Sequence, residues 1–214
     1  MARSLTYQEL EKINYDNEKK LLHLEQNVKS MQTDFTSSQK HRLVYDALIE
    51  CIDFILKQPK FIDVARNLYN RCNLIIEAES GYVALVNEQE KCLEFLHLDT
   101  GGVTCTVNPG SPLPLRGLSK ETLQQRTPLC CNDFIKSKWF KLLPDGHIKL
   151  QNVLLAPIVI DQISIGVLGF ANKPGNFNQD DIHIASSFAK LAALALSNSK
   201  AWHYMKKKSA HQRT

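Results

Sequence analysis

The spacing of apolar residues along the chain changes near residue 80. Before this point apolar side chains recur at helical intervals, and after it they gather in short runs separated by turn-forming residues. The first proline is Pro59 and the first glycine is Gly81, so the opening quarter of the chain lacks both helix breakers. The pattern therefore predicts helices first and a mixed domain after them.

A seven-residue repeat runs through the first forty residues. Apolar side chains predominate at two positions of the repeat. One position holds Tyr7, Asn14, Leu21, Val28 and Phe35, and the other holds Leu10, Asn17, Leu24, Met31 and Ser38. A stripe this narrow suits a partner helix, so residues 1–40 are predicted to form a coiled-coil helix that joins two copies as a parallel homodimer. The alternative is one amphipathic helix lying on its own domain.

Two more helical patterns follow this repeat. The first covers residues 41–56, and the second begins at Pro59 and continues to Ile75. A third begins at the predicted N-cap Asn178, has Asp180 and Asp181 in its first turn, and continues to about residue 205. The predicted division is a dimerisation helix at 1–40, a domain at 41–205 and a basic tail at 206–214.

Between residues 80 and 172 the sequence predicts strands. GYVALV with CLEFLHL, and NVLLAPIVI with ISIGVLGFA, are predicted hairpins, while VTCTV and TPLCC are predicted single strands. GLSKETLQQR, capped by Ser119, and FIKSKWFKLL are predicted short helices. Short links between neighbouring strands imply an antiparallel sheet. The predicted fold class is therefore α+β, with about six strands flanked by helices.

Composition narrows the range of functions. Hydrophobic residues make up 43% and charged residues 22%, which is typical of a soluble globular protein. No apolar run is long enough to span a bilayer, and the N-terminus lacks an apolar signal region, so we expect a cytoplasmic protein without a membrane partner. The net charge of +4 comes largely from the tail, so no nucleic-acid partner is predicted.

Cysteine and histidine spacing gives no sign of a metal site. The six cysteines include no CxxC pair, so neither a zinc ribbon nor a disulfide framework is indicated. The seven histidines include no pair at helical i, i+3 or i+4 spacing. No metal site is therefore predicted, and no cofactor can be named from the sequence.

Three stretches of this chain resemble parts of the GAF domain, a ligand-binding signalling module related in fold to PAS domains. They are SGYVALVNEQEKCLEFL, LPDGHIKLQNVLLAPIVIDQISIGVLGFANK and NKPGNFNQDD. The resemblance covers roughly residues 42–200. It implies a GAF/PAS-like sheet with a ligand held between one sheet face and the irregular segment at about 103–150.

The resemblance implies a set of ligand-binding residues in that crossing segment. They are Leu118, Ser119, Asn132, Asp133, Phe134, Trp139, Phe140 and His147. Trp139 either plugs the pocket or stacks on its ligand. His147 either anchors a turn by a hydrogen bond or contacts the ligand, and no partner at catalytic spacing supports a catalytic role.

The third stretch resembles a motif of the GAF domains in cyclic-nucleotide phosphodiesterases. The resemblance implies that Lys173 and Asp181 pair and hold a loop beside the pocket, whereas Ile182 replaces the glutamate of the motif. Because of this replacement, cyclic-nucleotide binding is not predicted. The alternative for the pair is an exposed ion pair worth about 0–1 kcal/mol.

An enzymatic role is the least favoured of three hypotheses. Free methionine-sulfoxide reductases resemble GAF domains and use cysteines near a Gly-His-Ile turn, but Lys149 and Leu150 follow Ile148 here. Cys130 and Cys131 are adjacent, so on a strand they point to opposite faces. The leading hypothesis is a non-enzymatic sensory module that binds an unknown small molecule and signals through dimeric terminal helices, with a separate output protein or as an excised unit. The second is a dimerisation scaffold with a plugged pocket.

Overall fold

A computed structural model describes residue 19 and residues 38–58, 60–87, 89, 91–102, 113–143 and 147–211, with side chains to residue 199. The chain divides into two compact units, Met1–Tyr45 and Asp46–Thr214. Within the first unit, residues 38–45 are helical. The predicted coiled-coil seam lies outside the described residues, apart from Ser38.

The second unit opens with two helices, α1 at residues 46–57 and α2 at Phe61–Ile76. Helix α2 ends at Glu77, which has a left-handed φ of 62° and donates its backbone N–H to the Asn73 carbonyl at 2.7 Å. The Asn73 amide then bonds both backbone groups of Ala78, at 2.9 and 3.1 Å. These contacts satisfy the end of the helix and direct the chain into the sheet.

The core of the second unit is one antiparallel sheet of six strands in the order β3-β2-β1-β6-β5-β4. The strands are β1 Ser80–Asn87, β2 Cys92–Asp99, β3 Leu113–Pro114, β4 Leu129–Cys131, β5 Val153–Ile160 and β6 Ile163–Ala171. The predicted α+β class with its two hairpins is therefore confirmed. The predicted strand VTCTV lies outside the described residues. The strand that pairs with β2 on the edge away from β1 is the two-residue β3.

The central hairpin places alternate side chains on opposite faces of the sheet. Its turn residues, Asp161 and Gln162, both have positive φ, at 48° and 65°, which matches the twist of a two-residue hairpin. In β5, Leu154 pairs with Phe170 and the next residue, Leu155, pairs with Gly169. Because successive residues of a strand point to opposite faces, Leu154 and Leu155 belong to different cores.

Two long helices cover one face, which we call the helix face. Helix α4, Gln179–His211, packs on β5 and on α2. The Tyr69 ring of α2 stacks on Phe170 with centroids 5.6 Å apart, and both residues are at most 1% exposed, as is Phe188 of α4. Gly81 allows the Tyr69 ring to approach β1, because a Cβ there would lie 2.7 Å from Tyr69 Cε2.

Short irregular elements cover the opposite face, which we call the pocket face. Helix α3 spans Gly117–Gln125, so it begins two residues before Ser119, and the extended Arg116 is its N-cap. The predicted helix FIKSKWFKLL is instead two 3₁₀ turns, Phe134–Lys136 and Phe140–Leu142. Both expectations, the Ser119 cap and the single helix, were wrong.

Local hydrogen bonding explains both differences. The side chain of Ser119 bonds Tyr82 rather than the backbone of its own helix. The Ser137 hydroxyl and N–H both bond the Phe134 carbonyl, at 2.7 and 3.0 Å, so the first turn closes before an α-helix can continue.

The start of α4 follows the predicted capping. Asn178 Oδ1 accepts the Asp181 N–H at 3.0 Å, and Asp181 Oδ2 accepts the Asn178 N–H at 3.0 Å. This reciprocal pair is a capping box, which satisfies two otherwise unpaired donors at the helix N-terminus. Within the described residues, no helix combines the length and apolarity that crossing a bilayer requires.

Candidate functional site

A cavity of about 140 Å³ lies between the pocket face of the sheet and the irregular segments that cross it. Strands β1, β2, β5 and β6 form its floor, while residues 113–119, the two 3₁₀ turns and residues 147–150 form its walls. An engineered cavity of about 150 Å³ holds a benzene-sized molecule. The space bounded by the described residues therefore suits a small ligand.

Most of the cavity surface is apolar. Tyr82 and Phe95 meet edge to face with their centroids 5.3 Å apart, and Phe134 and Leu155 are each at most 4% exposed. Phe134 and Leu155 belong with Leu118 to the core cluster of the pocket face, and the partly buried Tyr82 and Phe95 pack against it. Apolar walls with few polar groups are typical of small-molecule sites.

Ser80 is the most informative polar residue of the cavity. Its side chain is buried, its residue is 3% exposed, and its Oγ has no hydrogen-bond partner among the described residues. A buried hydroxyl without a partner costs about 1–3 kcal/mol. A ligand or water in the cavity that bonds Ser80 would remove this cost.

Other polar groups of the cavity are already partly engaged. Asp99 accepts the Tyr69 hydroxyl at Oδ2, 3.1 Å away, and the Gly101 N–H at Oδ1, 3.0 Å away. Burial raises the pKa of Tyr82, so its hydroxyl remains neutral while it bonds Ser119. The exposed Arg116 lies at the cavity wall and supplies a positive charge opposite in sign to that of Asp99.

Trp139 lines the cavity, and its indole ring is held by contacts with Glu121 and Lys138, which do not line the cavity. Its indole Nε1 donates to Glu121 Oε1 at 3.0 Å, and Lys138 Nζ lies 2.8 Å from the same carboxylate oxygen and 5.1 Å from the indole centroid. Hydrogen bonds from Lys138 and then Trp139 lower the pKa of Glu121. Phe140 is 41% exposed and is not among the lining residues, so neither aromatic side chain fills the cavity.

His147, in the middle of the LPDGHIKL segment, also lines the cavity. Its Nδ1 lies 2.9 Å from the Ile148 carbonyl oxygen, which accepts a hydrogen bond when Nδ1 carries the proton. In that tautomer Nε2 is an acceptor. The position is compatible with both predicted roles, because the ring anchors the backbone and borders the cavity.

Five of the eight predicted ligand-binding residues line the cavity, and three do not. The five are Leu118, Ser119, Phe134, Trp139 and His147. Asn132 is turned to Phe177, whose carbonyl and N–H it bonds at 3.0 and 2.9 Å. Asp133 forms an exposed ion pair with Lys136 at 2.7 Å. Like Phe140, these two residues are absent from the cavity wall.

The predicted motif residues Lys173 and Asp181 lie in contact. Lys173 Nζ is 2.6 Å from Asp181 Oδ2, and their side chains are 14% and 0% exposed. The pair is therefore buried, unlike the exposed alternative. Because Asp181 also caps α4, the contact ties the loop after β6 to the first turn of that helix.

Two asparagines that the sequence did not single out complete this connection. Asn152, which is 3% exposed, bonds the backbone of Lys173 at 2.8 and 2.9 Å and the Gly175 carbonyl at 2.7 Å. Asn172, at a φ of 58°, bonds Gln151 N–H and the Lys149 carbonyl, each at 2.8 Å. Residues 149–152, which border the cavity at Leu150, are thus fixed to the loop between β6 and α4.

The described cysteines lie away from the cavity wall. Burial raises the pKa of Cys130 to about 11 and that of Cys51 to about 11. It also raises the pKa of Cys72. A neutral thiol is a poor nucleophile. Among the described residues, no group of three or more histidine, cysteine or acidic side chains could hold a metal ion.

The residues predicted from the sequence lie in the segment that crosses the sheet, and none was predicted on the strands that form the floor of the cavity. Ser80, Tyr82, Phe95 and Asp99 were not proposed as site residues, although all four line it. Alternation in SGYVALV groups Ser80 with Tyr82 on one face, but only the strand pairing shows which face is covered by loops.

The sequence profile that describes the GAF domain matches residues 62–197 of this chain. The chain belongs to the GAF domain family. GAF domains are typically sensory or regulatory modules, and the match covers the whole sheet, α2 and most of α4. No curated protein matches the chain at a significant level.

Solved structures with the same fold differ widely from this chain in sequence. The GAF domain of a Coxiella burnetii phosphoenolpyruvate-protein phosphotransferase superposes with a TM-score of 0.65 at 13% identity, over 75% of this chain and 96% of that one. A free methionine-R-sulfoxide reductase from Neisseria meningitidis, solved with its substrate, gives 0.62 at 14% identity, over 74% and 90%. The GAF domain of a two-component sensor histidine kinase from Bacillus halodurans gives 0.54 at 18%, over 66% and 96%.

Proposed function

We propose that this protein is a non-enzymatic GAF sensor that binds a small molecule in the pocket-face cavity and signals as a homodimer through its terminal helices. In this proposal residues 1–40 form the dimerisation helix, residues 41–205 the sensing domain and residues 206–214 a basic tail. The observation that carries the proposal is a cavity of about 140 Å³, bounded by described residues, beside a buried Ser80 hydroxyl that has no hydrogen-bond partner among those residues.

The cavity chemistry indicates the kind of ligand. The walls are mainly apolar, and Ser80 can supply a hydrogen bond and Arg116 a positive charge, while the Asp99 carboxylate already accepts the Tyr69 hydroxyl and the Gly101 N–H. A small metabolite with an apolar body and at least one hydrogen-bonding group fits this arrangement. The aromatic faces of Trp139 and Tyr82 favour a planar or otherwise polarisable body.

Two alternatives receive less support. A scaffold with a plugged pocket requires Trp139 or Phe140 to fill the space, whereas Phe140 is largely outside it and Trp139 leaves it unfilled. A thiol-dependent enzyme such as the methionine-sulfoxide reductase of similar fold requires cysteines at the ligand. None of the described thiols lines the cavity, and burial raises the pKa of Cys51, Cys72 and Cys130, while Cys105 lies outside the described residues.

Native mass spectrometry of protein purified from its own host tests the proposal. We expect a bound small molecule with one copy per chain. Val153, which lines the cavity, is then replaced by Phe to fill it, and Val159 on the same strand is replaced by Phe as the matched control outside the wall. The fraction of chains that retain the molecule should fall at least tenfold in Val153→Phe and stay unchanged in Val159→Phe. Circular dichroism confirms that both variants fold.

A fluorescence titration gives an independent measurement. Trp139 and Trp202 are the only tryptophans, so Trp202→Phe leaves Trp139 as the single reporter at the cavity. The identified molecule should change its emission, and adding Val153→Phe should abolish that change. A chain that carries no molecule and responds to no metabolite in a broad screen would favour the scaffold instead.

A further inference from the structure

Helix α1 carries two apolar stripes that are offset by one residue. The inner stripe includes Cys51 and Ile55, which are 1% and 8% exposed. The outer stripe consists of Ile49, Ile52 and Leu56, which are 42%, 38% and 74% exposed. Since an α-helix has 3.6 residues per turn, a shift of one residue turns a stripe about 100° around the axis. The inner stripe therefore packs on the domain while the outer stripe remains uncovered.

The outer stripe falls in the register of the N-terminal seven-residue repeat. Counting in sevens from Tyr7 leads to Ile49 and Leu56, and counting in sevens from Leu10 leads to Tyr45 and Ile52. Tyr45, which belongs to the N-terminal unit, is itself 64% exposed. The same two positions of one repeat thus continue from residue 7 to residue 56, interrupted here by the polar Arg42.

The shape of the outer stripe suits one helix and not a broad surface. On one side it borders the inner stripe, which its own domain covers. On the other side lie Asp53 and Glu50, and Glu50 pairs with Arg71 at 2.9 Å. The exposed apolar strip is therefore narrow, as in the seam of a two-stranded coiled coil.

A second copy of the chain fits this strip better than the chain's own N-terminal segment. To cover the strip itself, that segment would have to reverse direction, yet the chain has neither glycine nor proline before Pro59. A parallel partner needs no reversal, and it brings identical positions of the two repeats together.

We propose that Ile49, Ile52 and Leu56 form the domain-proximal end of a parallel coiled coil between two copies of this chain. This inference rests on the dimer in the proposed function and names its contact on the folded domain. The interface ends three residues before Pro59, immediately ahead of α2. Helix α2 packs on the helix face of the sheet. The proposed partner contact on α1 therefore immediately precedes, in the sequence, a helix of the sensing domain.

A cysteine placed in the seam tests the geometry. In a parallel, in-register dimer the two Ile52 side chains face each other, so Ile52→Cys should form a disulfide-linked dimer under mild oxidation. Asp53→Cys, one residue away on the polar flank, is the matched control and should cross-link at least tenfold less. The wild-type chain controls for its own cysteines.

Light scattering on the full chain supplies the second readout. Wild type should have twice the chain mass of 24.3 kDa, and Ile49→Glu combined with Ile52→Glu should raise the dimer dissociation constant about 100-fold or more, since it buries carboxylates in the seam. The control Asp53→Ala should remain dimeric, and circular dichroism verifies the fold of each variant.

The outcomes separate the two proposals. A monomeric wild type would overturn both the dimer and this contact. A dimeric wild type whose Ile52→Cys does not cross-link, and whose double glutamate variant stays dimeric, would overturn the contact alone. A monomer in which the Ile52→Cys thiol resists alkylation would show that the chain covers its own stripe, which also overturns it.

Discussion

The two faces of the sheet are packed in different ways. On the helix face, Tyr69, Phe170 and Phe188 are at most 1% exposed and fit between two long helices. On the pocket face, a short helix and two 3₁₀ turns cross the strands, and the described residues bound a cavity of about 140 Å³. The same strands thus supply a close-packed core on one side and a cavity on the other.

The difference follows from the covering elements. A long amphipathic helix offers a continuous apolar stripe whose side chains interdigitate with a sheet. A 3₁₀ turn of three residues offers one or two apolar side chains and then changes direction. The helix face is therefore expected to contribute most of the stability of the fold, while the cavity on the pocket face leaves room for the proposed ligand.

The largest effect is expected where the helix face allows least space. In Gly81→Ala the new Cβ would meet the Gly169 carbonyl oxygen and lie 2.7 Å from Tyr69 Cε2. We expect a loss of more than about 4 kcal/mol in the free energy of unfolding, or failure to fold. The control Gly175→Ala, at a φ of 80° with nothing within 4 Å, should lose about 1–2 kcal/mol. Equal losses in urea denaturation would show that the contact at β1 is not tight.

Neighbouring leucines of β5 compare the two faces directly. Leu154 is 0% and Leu155 2% exposed, yet only Leu155 lines the cavity. Leu154→Ala should cost about 4–5 kcal/mol and Leu155→Ala about 2–3, because Leu155 already lacks packing partners on one side. Urea denaturation of both variants measures this, and a larger loss for Leu155 would contradict the proposed difference between the faces.

Substitution at the contact between the loop after β6 and the first turn of α4 should lower the free energy of unfolding by an intermediate amount. Asp181→Ala removes the buried partner of Lys173 and half of the capping box, so we expect a loss of about 3 kcal/mol. Asp180→Ala, one residue earlier and exposed, should lose less than about 0.5 kcal/mol. Thermal unfolding of the two variants would refute the role of the pair if both were equally stable.

The smallest change in the free energy of unfolding is expected at the cavity, where a substitution should stabilise the protein. Ser80→Ala removes a buried hydroxyl that has no partner in the described part of the chain, so the ligand-free protein should gain about 1 kcal/mol. Ser119→Ala should instead lose about 1 kcal/mol, since that hydroxyl bonds Tyr82. A destabilised Ser80→Ala chain, stripped of any ligand by unfolding and refolding, would show that the hydroxyl is satisfied.

Elements specified by local chemistry could be predicted from the sequence. Both hairpins and the Asn178 cap depend on residues close together in the chain, and all were confirmed. The FIKSKWFKLL segment was mispredicted because its apolar spacing suggests a helix, while the Ser137 side chain closes the turn at Phe134. Competition between a side chain and the backbone for one carbonyl is invisible to periodicity.

The site could be predicted only where the resemblance to the GAF domain indicated which segments lie together in space. Trp139, His147 and Ser119 were placed near the pocket in this way, and they line the cavity. Ser80 and Asp99 were not predicted, because their position at the cavity depends on strand pairing and on which face of the sheet the loops cover. Asn132 does not line the cavity, and its bond to Phe177, which joins residues 45 positions apart, could not be read from the sequence.

The alternation along β5 has a consequence for communication. Val153 and Leu155 border the cavity, while Leu154 between them points to the face on which α4 lies. In the proposed sensor, a ligand that displaced this strand by a fraction of an ångström would act on α4 through the thickness of a single backbone. The surface that borders the cavity and the surface that contacts α4 are two sides of one strand, so the proposed signal would need no relay of loops.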